Sequence, residues 1–434
     1  MKNKFYTFVA ILAVTLAGII PAIGQKAGSI TDTVLMGAGY NNEVYYSMSA
    51  GTKGAVNRKQ WDIAFRASRM SASIHTNDAA NNNAISLTGV ELYAYPKSDK
   101  SGWATIDTSG LYSWKKMVNS TTDWETGAFN QNQKGHPDYG WGRYNDGTHN
   151  VVGDSLFIIK LRDGSIKKLW IVEKFSSDNI FQFRFANIDG SDDTTIMMDC
   201  KPYSAKNFVG YSITTKQIID FEPVASDQWD ILFAKYMYTY PESGVLYPVT
   251  GVLSNYKTKV NKFEHVATDY RFWDTETMDS TRSPIGWEWK YIDAEFVYHV
   301  VDSLVYFIQD QGGNIHRLVF TEFAGSTTGR IVLQREMISA AGIFETEKSD
   351  LNAVVYPNPV KDILNLIINP GQKEVVMVSI LDMSGRPVLS NSYKLQAETL
   401  STLQIPVTNV SAGMYLVRIQ VGTDVISRKV IVNN

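Results

Sequence analysis

The 434-residue chain contains one cysteine, Cys200, so it cannot form an internal disulfide bond. It also lacks the paired thiols of structural zinc sites and of covalent haem attachment. No long run of one charge is present, and 41 basic residues against 44 acidic residues give a formal net charge of −3. Nucleic acid is therefore not expected as a partner, because binding phosphates requires a concentrated basic face.

The chain also lacks the sequence signatures of common enzymes. No H-E-x-x-H, G-x-S-x-G, Walker-type or dinucleotide-binding motif occurs in it. The sequence therefore predicts a protein without enzymatic activity.

Long apolar runs are absent except at the N-terminus. Residues 8–20, FVAILAVTLAGII, follow Lys2 and Lys4, and small residues precede Gln25. A positive segment, a short apolar stretch and small residues at the cut are typical of a secretory signal peptide. We expect residues 1–24 to be a signal peptide and the mature chain to contain no transmembrane segment, because no later run is long enough.

What the sequence does contain is an internal repeat. The run QWDIAF at 60–65 returns as QWDILF at 228–233, and four further blocks recur around it in the same order. Aromatic residues lie in short runs bounded by Gly, Asn, Asp and Ser, which favours β-structure. We therefore predict two homologous β-rich domains, residues 25–203 and 204–341.

The repeated blocks also predict local structure. Each final block reads as a hairpin, with turns at Asp163-Gly164 and at Gly312-Gly313. Period-two spacing puts Ile63 and Phe65 on one strand face, as a buried core requires. Alignment of the blocks GWGRY and GWEWKY makes Trp141 of the first repeat equivalent to Trp287 of the second.

The C-terminal part has a different texture. After a polar linker at 342–353, residues 354–434 alternate apolar and polar residues between regular turn signals, which predicts a small β-sandwich. The stretch carries a set of motif residues in a fixed order: Tyr356, Pro357, Asn358, Pro359, Gly385, Gly413, Tyr415 and Lys429. With these motifs it resembles the type IX secretion sorting domain of Bacteroidota, which implies export across the outer membrane to the cell surface or medium and contact with the type IX machinery.

The repeats share a YYS…G…WDIAF opening, a TGV strand, and a final hairpin with the strand after it. In these motifs the two repeats resemble the HmuY-like family of secreted haem-binding proteins. This resemblance implies an all-β fold, with two HmuY-like domains ahead of the small C-terminal β-sandwich, and capture of haem or a related porphyrin.

Haem requires axial ligands, usually His or Met. The resemblance implies that ligands come from loops before the final hairpin, where the candidates are His149, His299, His136 and Met117, with His265 and Met278 as further choices. His149 and His299 both precede the same strand and are the first choice for the iron. The other interpretation is that they are strand-entry histidines, kept by the duplication, that make local hydrogen bonds. Met70 and Met237 are expected to fill the core.

A different function is also compatible with this sequence. The first repeat carries an insert within 98–141 that is rich in Trp and Tyr among Asn, Gln, Gly and Ser. Such residues could stack on a sugar or a porphyrin, or form a satellite core under a long loop. The alternative prediction is a cell-surface adhesion or glycan-binding protein without a haem site.

Overall fold

A computed structural model describes residues 28–80, 89–339, 353–368, 375–382, 385–396, 400–422 and 424–433. The chain divides into two compact units, and the boundary in the sequence lies between Ile338 and Ser339. Strands dominate both, and the helices in the described ranges are 3-10 turns of three to five residues. The all-β prediction is confirmed. The predicted signal peptide and the linker before Ala353 lie outside the described residues.

The first unit contains strands β1 to β23 and eight short 3-10 helices in its described part. The strands are β1 Ile30–Leu35, β2 Asn42–Ser47, β3 Gly51–Asn57, β4 Ile63–Arg66, β5 Ile74–Thr76, β6 Glu91–Asp99, β7 Lys116–Met117, β8 Gly142–Tyr144, β9 Val151–Gly153, β10 Ser155–Lys160, β11 Ile166–Phe175, β12 Ile180–Asn187, β13 Thr194–Asp199, β14 Phe208–Ser212, β15 Gln217–Ile219, β16 Ile231–Thr239, β17 Leu246–Ser254, β18 Lys259–Glu264, β19 Lys290–Ile292, β20 Tyr298–Val300, β21 Leu304–Gln309, β22 Ile315–Phe323 and β23 Arg330–Ser339. The 3-10 helices are Ala38–Tyr40, Lys100–Ala104, Leu111–Ser113, Ala128–Asn130, Lys201–Tyr203, Ser226–Gln228, Trp273–Thr275 and Gly325–Thr327.

These strands build two β-sandwiches. In the first sandwich, the sheet β15-β14-β4-β5 faces an eight-stranded sheet that runs β13-β12-β11-β10-β6-β7, with β9 and β8 attached through β11. In the second sandwich, the sheet β17-β16-β2-β3 faces the sheet β1-β23-β22-β21-β18. Each sandwich encloses its own apolar core.

The two repeats exchange hairpins. The β2–β3 hairpin of the first repeat pairs with β16 of the second, and the β14–β15 hairpin of the second repeat pairs with β4 of the first. The register is the same in both places, with Tyr211 opposite Ile63 and Tyr46 opposite Ile231. Strand pairing therefore crosses the predicted boundary at residues 203 and 204, and neither 25–203 nor 204–341 contains a complete sandwich.

The repeated Trp-Asp-Ile run has a role in this exchange. The buried Asp62 accepts a hydrogen bond from the backbone N–H of Ile213 at 2.8 Å, and Asp230 accepts one from the N–H of Met48 at 2.7 Å. Ile213 and Met48 follow β14 and β2, so each aspartate binds the hairpin of the other repeat. A carboxylate that accepts backbone N–H bonds satisfies donors that would otherwise be buried without partners.

The exchanged sheets are buried on both faces. Ile63 and Phe65 point into the first core, whereas Ala64, between them, packs on the opposite face with Phe208. In the second repeat Leu232 likewise packs on the face opposite the core, between the core residues Ile231 and Phe233. Trp124 packs against both outer clusters and closes the space between the sandwiches.

Both predicted final hairpins are confirmed. They are β10–β11, with its turn at Asp163-Gly164, and β21–β22, with its turn at Gly312-Gly313. The predicted equivalence of Trp141 and Trp287 in the two repeats is wrong, because the counterpart of Trp141 is Trp289, two residues later. Trp141 and Trp289 are the fully buried members of the two cores, whereas Trp287 lies outside the second core and is partly exposed.

The second unit is the predicted small sandwich. Its described strands are β24 Ala353–Tyr356, β25 Ile363–Ile368, β26 Val375–Leu381, β27 Pro387–Lys394, β28 Ser401–Pro406, β29 Gly413–Val421 and β30 Asp424–Val432. They form the sheets β24-β25-β28 and β27-β26-β29-β30 around one core. Asn358 binds the last strand twice: it donates to the carbonyl of Lys429 at 3.0 Å and accepts from the N–H of Ile431 at 2.8 Å.

Other motif residues of this unit have structural roles as well. Gly385 has φ +80° in the turn between β26 and β27, where its N–H donates to the carbonyl of Asp382. A left-handed backbone angle of this kind favours glycine. The Tyr415 hydroxyl donates to the carbonyl of Ser411 at 2.8 Å, and Gly413 begins β29. The motif residues therefore fix turns and the terminal strand.

Candidate functional site

Two of the predicted haem ligands lie in one groove of the first sandwich. His136 and His149 both line a cavity of about 660 Å³, which we call the histidine groove. Its wall includes Tyr139 and Tyr144, and its volume is within the usual range of small-molecule sites. Both histidine side chains are exposed to solvent.

Tyr144 lies next to both histidines. Its ring centroid is 5.2 Å from that of His136 and 6.1 Å from that of His149. Its hydroxyl is hydrogen-bonded to Nδ1 of His149 at 2.7 Å. This bond engages one ring nitrogen and leaves Nε2, for which the described residues supply no hydrogen-bond partner. A histidine held through one nitrogen is oriented to ligate a metal with the other.

Lys174 is a buried residue of the groove lining. Its ammonium group donates to the backbone carbonyls of Ser68, Arg69 and Ser71. Burial lowers the pKa of Lys174 to about 8. The adjacent Glu173 accepts a hydrogen bond from Asn150 at 2.9 Å, which fixes the residue that follows His149.

His299 is equivalent to His149 in sequence but lies elsewhere. It belongs to the β19–β20 hairpin of the second sandwich and does not line the histidine groove. Its Nε2 is 2.6 Å from a carboxylate oxygen of Asp293, and its ring stacks on Tyr291 at 5.3 Å. The structure therefore does not bring the predicted pair His149 and His299 together, and His299 makes the local hydrogen bond that the alternative interpretation describes.

The methionines also differ from the predictions. Met117 is 1% exposed within the first core and is paired through β7 with Leu92, so its thioether does not reach the groove. Met70 was expected in the core but is 86% exposed and lines the groove. Met237 is buried as predicted. His265 and Met278 are in the second repeat and do not line the groove either.

The aromatic insert does not form one binding surface. Trp103 and Trp114 pack on a small cluster beside β6 and β10, and Trp141 is in the main core. Trp124 stacks with His75 and lies 3.9 Å from the Arg282 guanidinium. Tyr112 is the exposed one. These positions correspond to the satellite-core alternative.

A second cavity lies in the second sandwich and was not predicted. It measures about 510 Å³, and we call it the aromatic–lysine cleft. Its lining includes seven aromatic side chains and four basic ones: Tyr40, Tyr240, Tyr247, Trp287, Tyr291, Tyr298 and Phe323, with Arg58, Lys59, Lys235 and Lys290. No described residue that lines it is acidic. The sequence signal that could have indicated this cleft is the dense group of tyrosines at 236–247, which includes Tyr240 and Tyr247.

The lysines of this cleft are held in an unusual environment. Lys290 is buried and donates to the backbone carbonyls of Thr250 and Trp287. Burial lowers its pKa to about 7. Burial, followed by the charges of Arg58 and Lys59, lowers the pKa of Lys235 to about 8.

Comparison with known proteins identifies the C-terminal part. Residues 354–433 match the family model of the secretion system C-terminal sorting domain. This tail indicates secretion to the cell surface or exterior, and it implies interaction with the type IX machinery. No helix in the described part of the chain has the length and apolar character needed to span a bilayer.

The remaining comparisons leave the two repeats unassigned. The search of curated proteins gives no match. Among solved structures, PorZ, a surface component of the type IX secretion system of Porphyromonas gingivalis, is 10% identical with a TM-score of 0.15, and the match covers 74% of this chain and 50% of PorZ. The fusion protein EFF-1 of C. elegans is 8% identical with a TM-score of 0.16, over 93% of this chain and 87% of that one. Such scores carry no argument about fold or function, and neither match supports the HmuY-like resemblance.

Proposed function

We propose that this exported protein is a non-enzymatic binding protein whose histidine groove binds haem. The observation that carries the proposal is that His136 and His149, which the sequence singles out separately, line the same groove with two tyrosines. Imidazole nitrogen is a usual axial ligand, and haem supplies an iron that accepts it.

The groove residues fit such a ligand in three ways. His149 is oriented through Nδ1 by the Tyr144 hydroxyl, and in the tautomer whose Nδ1–H donates to the phenol oxygen the lone pair of Nε2 is available to ligate the iron. The rings of Tyr139 and Tyr144 offer apolar area for a flat macrocycle. Arg69, which is exposed on the lining, provides a cation for a carboxylate side group.

A haemin titration of the full chain tests the proposal. We expect a shifted, sharpened Soret band for the wild type, and His149→Ala and His136→Ala should each weaken binding or change the spin state. His299→Ala should leave the spectrum unchanged, because that residue is outside the groove and bound to Asp293.

His265→Ala is the matched control. His265 is exposed and has φ +58°, close to the φ +59° of His149, but does not line the groove. The proposal is wrong if wild-type protein gives only the broad spectrum of haemin on apolar surface. It is also wrong if the His149 and His136 variants behave like the His265 variant.

A further inference from the structure

The aromatic–lysine cleft combines two features that ligand sites need. It is concave, with a volume of about 510 Å³, and the described residues that line it include Lys235 and Lys290 but no acidic residue. Low-dielectric walls lined by charges of one sign focus the electrostatic potential and attract a ligand of the opposite sign. The ligand that fits this cleft is therefore an anion.

The two central lysines are placed for this role by β-structure. Lys235 lies on β16 opposite Thr250 of β17, and Lys290 begins β19 and donates to the carbonyl of the same threonine. Lys235 has neither a hydrogen bond nor an ion pair with any described residue. A half-buried ammonium without a partner loses hydration that a bound anion can replace.

The aromatic walls decide which class of anion fits. Tyr240, Tyr247 and Trp287 form one wall. The ring centroid of Tyr240 is 6.4 Å from that of Tyr247, with the planes inclined by 51°, and 6.1 Å from that of Trp287, with the planes inclined by 79°. Rings inclined in this way form no parallel slot within this wall that could enclose a flat base between two faces. A non-planar ring can lie on one aromatic face while its hydroxyl groups bond to tyrosine hydroxyls around it.

Several of these groups are accessible. Tyr247 is 45% exposed and Tyr291 is 54% exposed, and Asn41 adds an amide to the lining. Exposed aromatic rings with amide and hydroxyl neighbours are suited to a polar ligand that also has an apolar face.

From these features we infer that the aromatic–lysine cleft binds an acidic saccharide, a sugar ring that carries a carboxylate or a sulfate. The anionic group lies at Lys235 and Lys290, and the sugar ring lies on the tyrosine and tryptophan wall. This site is separate from the histidine groove, which the first repeat provides, so the two assignments stand or fall independently.

Titration calorimetry of the full chain with three tetrasaccharides tests the inference: an oligogalacturonate, a sulfated galactan and a neutral galactan of the same length. We expect an acidic ligand to bind at least about 10-fold more tightly than the neutral one, which corresponds to a difference in binding free energy of about 1.4 kcal/mol or more. Comparison of the two acidic ligands distinguishes carboxylate from sulfate.

Variants locate the site. Lys235→Met and Lys290→Met should each weaken acidic-saccharide binding about 10-fold or more, because a charge-assisted hydrogen bond is lost. Tyr247→Ala should weaken it as well through the lost stacking face. Lys259→Met is the matched control, since Lys259 is exposed on β18 of the same sandwich and does not line the cleft.

The inference is overturned if no acidic tetrasaccharide binds, or if neutral and acidic ligands bind equally well. Unchanged affinity in folded Lys235→Met and Tyr247→Ala proteins would also overturn it, whatever becomes of the buried Lys290 variant. Binding of adenosine monophosphate in place of the saccharides would assign the cleft to another class of anion and refute the proposal.

Discussion

Cutting the chain between residues 203 and 204 should produce two halves that do not fold alone but assemble when mixed. The half 25–203 loses the β14–β15 hairpin, and with it Val209, Tyr211 and Ile213, which are at most 1% exposed in the first core. At roughly 1.5–3 kcal/mol for each buried apolar side chain, the loss is about 5–9 kcal/mol. A domain has about 5–15 kcal/mol of net stability, so little remains.

The other half loses more. The fragment 204–341 lacks the N-terminal segment 30–57, which contributes six residues to the second core: Val34, Met36, Tyr40, Val44, Tyr46 and Met48. The corresponding loss is roughly 9–18 kcal/mol, enough to unfold the sandwich. We therefore expect each half alone to show neither cooperative melting nor dispersed amide resonances.

Mixing restores the exchanged hairpins. Refolded together, the halves should co-elute as a 1:1 complex with a cooperative melt, whereas residues 25–341 in one piece should fold alone as the control, because the chain divides into units at residue 338. All ten tryptophans lie before residue 290, so their fluorescence reports on the first unit only. Two separate halves, each monomeric with its own cooperative melt, would refute the exchange.

Two further predictions use the same fluorescence signal in denaturant titrations. Asp230→Ala removes the acceptor of the Met48 N–H and should lower the free energy of unfolding by about 1–3 kcal/mol. The exposed Asp227→Ala should change it by less than about 0.5 kcal/mol, and equal effects of the two substitutions would contradict this role of Asp230. Burial raises the pKa of Glu222 to about 8, so the folded state keeps a proton that the unfolded state releases near pH 4.5. Stability should therefore fall as pH rises from about 5 to 8, and Glu222→Gln should flatten that dependence; an unchanged slope would show that Glu222 does not titrate in this window.

The sequence predicted the strands better than their partners. The hairpins at Asp163-Gly164 and Gly312-Gly313 were correct because an apolar run, a turn signal and a second apolar run are local features. Exchange was not predictable in this way, because Tyr46 and Tyr211 occupy equivalent positions in the two repeats. Period-two spacing shows which strand face is buried, but both repeats offer that face an equally suitable partner.

The candidate sites show the same difference between local features and contacts between distant segments. His136 and His149 were both candidates from one region of the sequence, and their common neighbour Tyr144 lies between them in the chain, so the groove that they line is a local feature. The aromatic–lysine cleft was missed because its walls come from separate segments, with Tyr40 on the exchanged first repeat and Tyr240 on the second. Residues far apart in sequence meet only once the sheets are assembled.

The exchange also bears on how the duplication arose. Because the two hairpins cross in the same register, the first unit has the symmetry of a homodimer whose subunits swap an arm, with the two copies joined in one polypeptide. A gene that encoded a single repeat would give a chain that completes its sheet only by pairing with a second copy. Fusion makes that pairing independent of protein concentration. It also frees the two sandwiches to diverge, one with a histidine groove and the other with the aromatic–lysine cleft.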